Sequence, residues 1–398
     1  MNQAGGAATA ICPVCRSSRS EIFFRYAQAN LWQQFRIRTR SEALSCPRAA
    51  IELHVCVDCL AIWNAAFDPG RLDYHLPYDA TQSGSESFRN FVNGTAVRLL
   101  STYELAGKSA LDIGSGDGRF LEALASAGLG DVLGIEPSWS PDAAVPAGVR
   151  VVAETFPLSG GMPRAALVSC RHVLSHVSDP VAFLGSMRDE AGAADTVFFL
   201  EVPNFEASLS GFGPLDIYYE HNLYFIAAGF RVLLERSGLT PLRLEAEFSG
   251  QYLCADARAG DRAIVAPRDR DELLRSLQEF QGNCAQWLAE IHSLFDQTTG
   301  PNILWGAGGR AVALLNFAGI TSDRLQHIID INPNKWGTFI PGTGQEISGP
   351  EVLRHIRAGR ILVVNPAYLD EVRRSAREIG WRGQVEALPR FRASATTA

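Results

Sequence analysis

Residues 111–120 read LDIGSGDGRF. Leu111 to Ile113 is a short apolar run of the kind that forms a buried strand, and an amphipathic helical pattern starts at Arg119. Between them the chain must turn tightly through Gly114, Ser115, Gly116 and Gly118, and glycine adopts left-handed conformations there at little steric cost. Such a strand-turn-helix unit brings backbone N–H groups close to a ligand beyond the end of Asp112. About twenty residues on, GIEPS ends a second apolar run in Glu136, where a carboxylate accepts protons from both ribose hydroxyls of a nucleotide. The spacing is G-x-G-x-G, whereas dinucleotide sites use G-x-G-x-x-G. Asp112 would repel a pyrophosphate but suits a ligand bearing an ammonium and a sulfonium, so charge favours S-adenosylmethionine (SAM) over NAD.

The same alternation continues outward through DVLGIEP, AALVSCRHVL and DTVFFLEVP, with helical stretches between, and predicts a mostly parallel sheet with helices on both faces. Phe156, in AETFPL after the third strand position, is a candidate cover for an adenine face. A polar, charged run near residues 256–270 marks a boundary, and a long helical pattern follows to about Gln297. A second alternation starts with PNILWGAGGRAVALLNFAGI and continues through HIIDINPN and RILVVNP. Its GAGGR turn (306–310), with Asp330 downstream, mimics a second nucleotide fingerprint but departs from G-x-G-x-x-G and reads first as a structural turn. The expected organisation is α/β: a small N-terminal module (1–72), a Rossmann-like core (73–258) and a second Rossmann-like domain (259–398).

With 36 Lys and Arg against 43 Asp and Glu, the formal charge is −7, so no global positive field exists to neutralise nucleic-acid phosphates. No stretch approaches the ~18 uninterrupted apolar residues that span a bilayer, and the N-terminus lacks the pattern of a secretory signal. A soluble, cytoplasmic chain is expected. Of its eight cysteines, four form the C-x-x-C pairs ICPVC and HVCVDC, which in a reducing compartment read as metal ligands. Two knuckles complete a tetrahedral site for structural zinc at Cys12, Cys15, Cys56 and Cys59, with Cys46 as a competitor; four thiolates leave no open position for catalysis. The forty or so residues between the pairs show few periodic patterns, which argues against a regular sheet or helical domain there.

SCRHVLSHVSDP puts His172 and His176 at the end of the fourth core strand, where open α/β sheets hold their ligands. IYYEHN (217–222) sets Glu220 beside His221 among aromatic rings, and histidine's pKa near neutrality suits it to proton transfer.

The order of the cysteine knuckles, DIGSGDG, SHVSDP, LEVPNF, YYEHNLYF, WGAGGRAVALLNFAGI, KWGTFIPGT and VVNPAYLDEV resembles the SAM-dependent C-methyltransferases of deoxysugar biosynthesis over nearly the whole chain. The resemblance implies a zinc-binding N-terminal domain, a class I methyltransferase core that holds SAM, and a C-terminal Rossmann-like domain that binds substrate. It places a catalytic base on His221, assisted by Glu220, His176 and Tyr78, acting on a nucleotide-linked keto sugar. The segment YDATQSGSESFRNF after Tyr78, and SGQYL after the core, depart from the family's usual versions.

The implied chemistry is a division of labour. SAM supplies an electrophilic methyl, so the protein must make a carbon nucleophile by removing a proton alpha to a ketone, with a base within about 3 Å. Donors at the enolate oxygen, Tyr78 and His176, would stabilise the developing charge. The alternatives are an O-, N- or C-methyltransferase for a different natural-product acceptor, and a non-catalytic scaffold. Oligomeric state is not legible.

Overall fold

The computed structural model describes residues 10–72, 84–140, 145, 148–260, 270–296, 300–356 and 359–392. Strands β1 (Ser20–Asn30), β2 (Arg48–Cys56) and β3 (Ile62–Asn64) form an antiparallel sheet in the N-terminal segment. This differs from the irregular module expected there. The register of β1 against β2 shifts between Ile22 and Phe24 and again between Tyr26 and Ala29, and each shift breaks the two-residue alternation that identifies a strand. Buried residues therefore come in adjacent pairs, Phe23 with Phe24 and Ala29 with Asn30.

The core contains β4 (Ala110–Ile113), β5 (Val132–Ile135), β6 (Val149–Val152), β7 (Ala165–Arg171) and β8 (Gly192–Pro203), followed by β9 (Leu223–Tyr224), β10 (Leu239–Glu247) and β11 (Tyr252–Ala259). Seven of these strands form one sheet in the order β10-β11-β8-β7-β4-β5-β6. Strands β4 to β8 are parallel; β11 pairs antiparallel with both β8 and β10. Connections leave β4 on one side toward β5 and return on its other side as β7, which opens a crevice beyond the carboxyl ends of β4 and β7.

Strand β9 joins a different sheet. It pairs antiparallel with β3, Ile62 opposite Tyr224 and Trp63 opposite Leu223, and so extends the N-terminal sheet at its far edge.

The C-terminal unit is a parallel five-stranded sheet of β12 (Asn302–Trp305), β13 (His327–Ile329), β14 (Ile347–Ser348), β15 (Arg360–Val363) and β16 (Gln384–Ala387), ordered β14-β13-β12-β15-β16. The helix Arg270–Asp296 precedes it. Its Phe280 ring meets Phe24 and Phe205 edge-on or tilted, and Trp287 Nε1 donates to the Pro389 carbonyl at 3.0 Å. One apolar core thus holds Phe24 and Ile62 of the N-terminal sheet, Tyr219 of the core segment, Phe280, and Leu314 and Leu362 of the C-terminal unit. Burial of these side chains against each other removes apolar surface from water where the three segments meet. No helix among the described residues is long and apolar enough to cross a membrane.

Candidate active site

At the N-terminus, the four C-x-x-C sulfurs lie within 4.8 Å of one another. Cys12 Sγ is 3.5 Å from Cys59 Sγ, and Cys15 Sγ is 3.4 Å from Cys56 Sγ. A zinc ion with bonds of about 2.3 Å would space four sulfurs about 3.8 Å apart, so the donor set and its spacing fit that ion. Both knuckles are built alike. Arg16 N donates to Cys12 O and Leu60 N to Cys56 O, and each of these donors is in the left-handed region, at φ 65° and 61°. Cys46 is buried away from them, its thiol against the Pro47 carbonyl; among the described residues it takes no part in the cluster.

The glycine turn has the expected form. Gly114, Gly116 and Gly118 all have φ between 56° and 76°. A Cβ at Gly114 would lie 2.1 Å from Val173 Cγ2, whereas one at Gly116 would meet nothing within 4 Å. The first glycine is therefore required by packing, and the second faces open space where a ligand fits. Beside it the buried Ser115 Oγ has no hydrogen-bond partner among the described residues. Glu136 approaches from β5: its Oε2 accepts from Gly116 N at 2.9 Å, and its Oε1 accepts from Ser138 N at 3.0 Å. Asp112 is buried at the end of β4 and accepts from Ser169 Oγ at 2.6 Å. Burial pushes its carboxyl up to about 7, against the opposing pull of Ser169 and Arg171. These features fit SAM: an open glycine cradle, an orphaned hydroxyl, and two carboxylates for a cationic, ribose-bearing ligand.

Phe156 packs edge-on against Phe183 at 5.3 Å, half-buried at the side of the core. His172 has a left-handed backbone (φ 58°), with Nε2 2.8 Å from Glu201 Oε1 and its ring 4.7 Å from that of Tyr252. Glu201 is fully buried and binds Arg171 at 2.8 Å. Burial alone would raise its carboxyl, but Arg171 and His172 outweigh burial and hold it at about 2.

The segment between β7 and the following helix joins the glycine turn to the histidines. Val173 packs on Gly114, Ser175 O accepts from Asn222 N at 2.8 Å, and Val177 O accepts from Asn222 Nδ2 at 3.0 Å. His176 and His221 meet edge to face, with ring centroids 5.1 Å apart. Tyr218 and Tyr224 contact the His221 ring at 5.0 and 6.0 Å. Burial drives the His176 imidazole down to about 4 and the His221 imidazole well below the ordinary histidine value. Both are neutral at physiological pH. Glu220, although adjacent in sequence, sends its carboxylate to the N-terminal segment, where Oε1 accepts from Gln33 N at 2.9 Å. Tyr78 lies outside the described residues.

Sequence reasoning passed over Tyr218, Asp216, Gln33 and Arg310. Arg310 of the GAGGR turn binds Asp216 in bidentate fashion, Nε at 2.6 Å and Nη2 at 3.0 Å, and Tyr218 Oη donates to Asp216 Oδ1 at 3.2 Å. The Asp330 carboxylate, downstream of that turn, accepts from Ala307 N and Asn332 N, each at 2.8 Å.

The sheet order, the glycine cradle and its paired acids define a class I SAM-dependent methyltransferase. The methyltransferase domain family matches residues 87–244, and the C-methyltransferase C-terminal domain matches residues 269–389. The C-methyltransferase NovU of Streptomyces niveus is 26% identical over 328 residues, which are 76% of this chain and 76% of that one. Among solved structures, the CcbJ methyltransferase from Streptomyces caelestis is 18% identical, with a TM-score of 0.36 over 46% of this chain and 100% of that one. The S-adenosylmethionine-dependent methyltransferase from Mesorhizobium loti is 16% identical, with a TM-score of 0.34 over 42% of this chain and 97% of that one. The two domain matches and the likeness to NovU support a SAM-dependent C-methyltransferase family, and the chain is a SAM-dependent methyltransferase.

Proposed function

We propose that this C-methyltransferase acts on a carbon alpha to the ketone of a nucleotide-linked deoxysugar, with His221 as the base that forms the enolate. The observation that carries this reading is the His221 imidazole: neutral, enclosed by Tyr218, Tyr224 and His176, and one short segment away from the cofactor turn. A neutral imidazole takes a proton without first losing one, and the ring walls keep water from competing for the enolate.

Gly114, Ser115, Gly116, Gly118, Asp112 and Glu136 would hold SAM, which supplies an electrophilic methyl group when bound; Phe156 and His172 would border that site. His221 removes the alpha proton and keeps it at its ring nitrogen. His176 has its proton on Nδ1, committed to the Glu220 carbonyl, so in its neutral form Nε2 accepts from an acceptor hydroxyl. That differs from a donor role at the enolate oxygen, which falls to Tyr78. Glu220 fixes the N-terminal segment against the dipeptide through Gln33. The cysteine cluster would hold zinc as a structural staple, and the C-terminal unit would carry the nucleotide end of the acceptor.

The test is exchange of the alpha proton in deuterium oxide with candidate nucleotide-linked keto sugars. Wild type should incorporate deuterium at the carbon that becomes methylated, and His221→Asn should abolish incorporation while still binding SAM. Methylation of an oxygen or nitrogen without carbon exchange would instead favour a different acceptor class. No SAM-dependent thermal shift would remove the enzymatic reading altogether, since a ligand at a hundred times its Kd adds about 2.7 kcal/mol.

A further inference from the structure

The GAGGR turn resembles a nucleotide cradle in sequence, yet its contacts run toward the core. A Cβ built on Gly309 would lie 3.0 Å from Tyr218 Cζ, 3.2 Å from Tyr218 Oη and 3.1 Å from Gln34 Nε2. The next residue, Arg310, clamps Asp216 with two nitrogens, and Asp216 in turn accepts the Tyr218 hydroxyl. The third arm of the guanidinium donates to Gln251 Oε1 at 2.7 Å, an oxygen that also accepts from Asn365 Nδ2 at 2.9 Å. Its face lies 3.6 Å over the Phe212 ring. Tyr218 is held at its other end by Tyr224, whose hydroxyl accepts from Tyr218 N at 3.2 Å and donates to Tyr218 O at 2.8 Å.

From this geometry we infer that Gly309 and Arg310 are positioning residues for catalysis: the C-terminal unit reaches across to hold the Tyr218 ring against His221. The inference rests on the role proposed for His221. Asp216 is itself held in place by the two Arg310 nitrogens. Asp216 so held fixes the Tyr218 hydroxyl, and the fixed ring sets the wall against which the imidazole sits. The glycine at 309 permits the close approach; any side chain there meets the tyrosine. Misplacement of a reacting group by as little as 1 Å costs about a hundredfold in rate.

The experiment compares Arg310→Met, Gly309→Ala and Tyr218→Phe, singly and in pairs, in the full-length protein. Arg310→Met should lower kcat by about a hundredfold with KM for the acceptor and for SAM within about threefold. Gly309→Ala keeps the ion pair, so it guards against loss of folding, and it should lower kcat in the same sense. In the Tyr218→Phe background Arg310→Met should add no more than about a twofold loss. An independent reading comes from the ring-nitrogen NMR signals of labelled histidine: the His221 signal should move in Arg310→Met and Gly309→Ala alike.

A raised acceptor KM with kcat preserved would overturn the inference and make the turn part of the acceptor site. Full additivity with Tyr218→Phe, or a lowered melting temperature with kcat and the His221 signal unchanged, would also overturn it. If wild type methylates no keto sugar, the proposed acceptor fails while the NMR reading still decides the positioning role.

Discussion

His176 Nδ1 lies 2.8 Å from the carbonyl oxygen of Glu220, the carbonyl of the peptide bond that leads into His221. A carbonyl only accepts, so the His176 proton is fixed on Nδ1 and the two histidines are joined through the backbone as well as through their rings. Replacing His176 with Ala removes the donor to that carbonyl, at a cost of about 1–3 kcal/mol. The expected outcome is a lower melting temperature and a loss of kcat exceeding the change in KM. His176→Asn, whose amide can donate in place of Nδ1, should recover most of the melting temperature. Calorimetry and steady-state kinetics check both.

The half-buried histidines set a pH dependence of stability. Unfolded histidines titrate near 6.5, whereas His176 stays neutral to about 4 and His221 is also depressed. The unfolded chain therefore binds more protons in this window, and stability falls as pH drops from about 6.5 toward about 4. Asp112, raised to about 7, acts oppositely: it keeps its proton when folded, so its contribution falls as pH rises from about 4 to about 7. In denaturation between pH 4 and 6.5, the contribution of two histidines exceeds that of one aspartate, at about 1.4 kcal/mol per pH unit for each proton. The His176→Asn, His221→Asn double variant should reverse the sign of the slope these groups produce.

Asp112 also predicts linkage to SAM. A cationic ligand favours the ionised carboxylate, so binding should release a proton and tighten as pH rises through about 7. Titration calorimetry in buffers of different ionisation enthalpy would count that proton. Asp112→Asn should bind more weakly and lose the pH dependence; an unchanged profile would place the titrating group elsewhere.

Metal removal should reach the histidines. Cys56 ends β2, Cys59 stands in the turn to β3, and β3 pairs with the two residues that begin two positions after His221. Chelation at pH 7 should lower the melting temperature and reduce kcat together, with zinc restoring both. The Cys15→Ser variant should show the same loss without a chelator. Full activity in metal-free protein would sever the link.

What was legible in the sequence follows from what each feature needs. The LDIGSGDG turn announces itself because three left-handed positions require glycines and leave few other reasons for them. The cysteine pairs were legible because two short knuckles are local. The N-terminal sheet was hidden by the register shifts around Ile22 and Tyr26, which scramble period-two patterning. Asp216 and Arg310 are 94 residues apart, so no local spacing could couple them. Tyr218 stood beside the glutamate and histidine already singled out, but one ring among several has no periodic mark; only the approach of Gly309 distinguishes it. The orientation of Glu220 toward Gln33 was likewise beyond reach, since adjacency in a chain does not fix the direction of a side chain.

The pairing of β9 with β3 bears on how the chain can be divided. A protein trimmed to its SAM-binding fold would keep Leu223 and Tyr224 but lose the strand they pair with, leaving open backbone donors and acceptors beside His221. Exposed strand edges recruit other chains. Grafting this methyltransferase fold onto another acceptor domain therefore has to carry the cysteine module with it, because the hydrogen bonds that finish the loop after His221 are made by the N-terminal sheet.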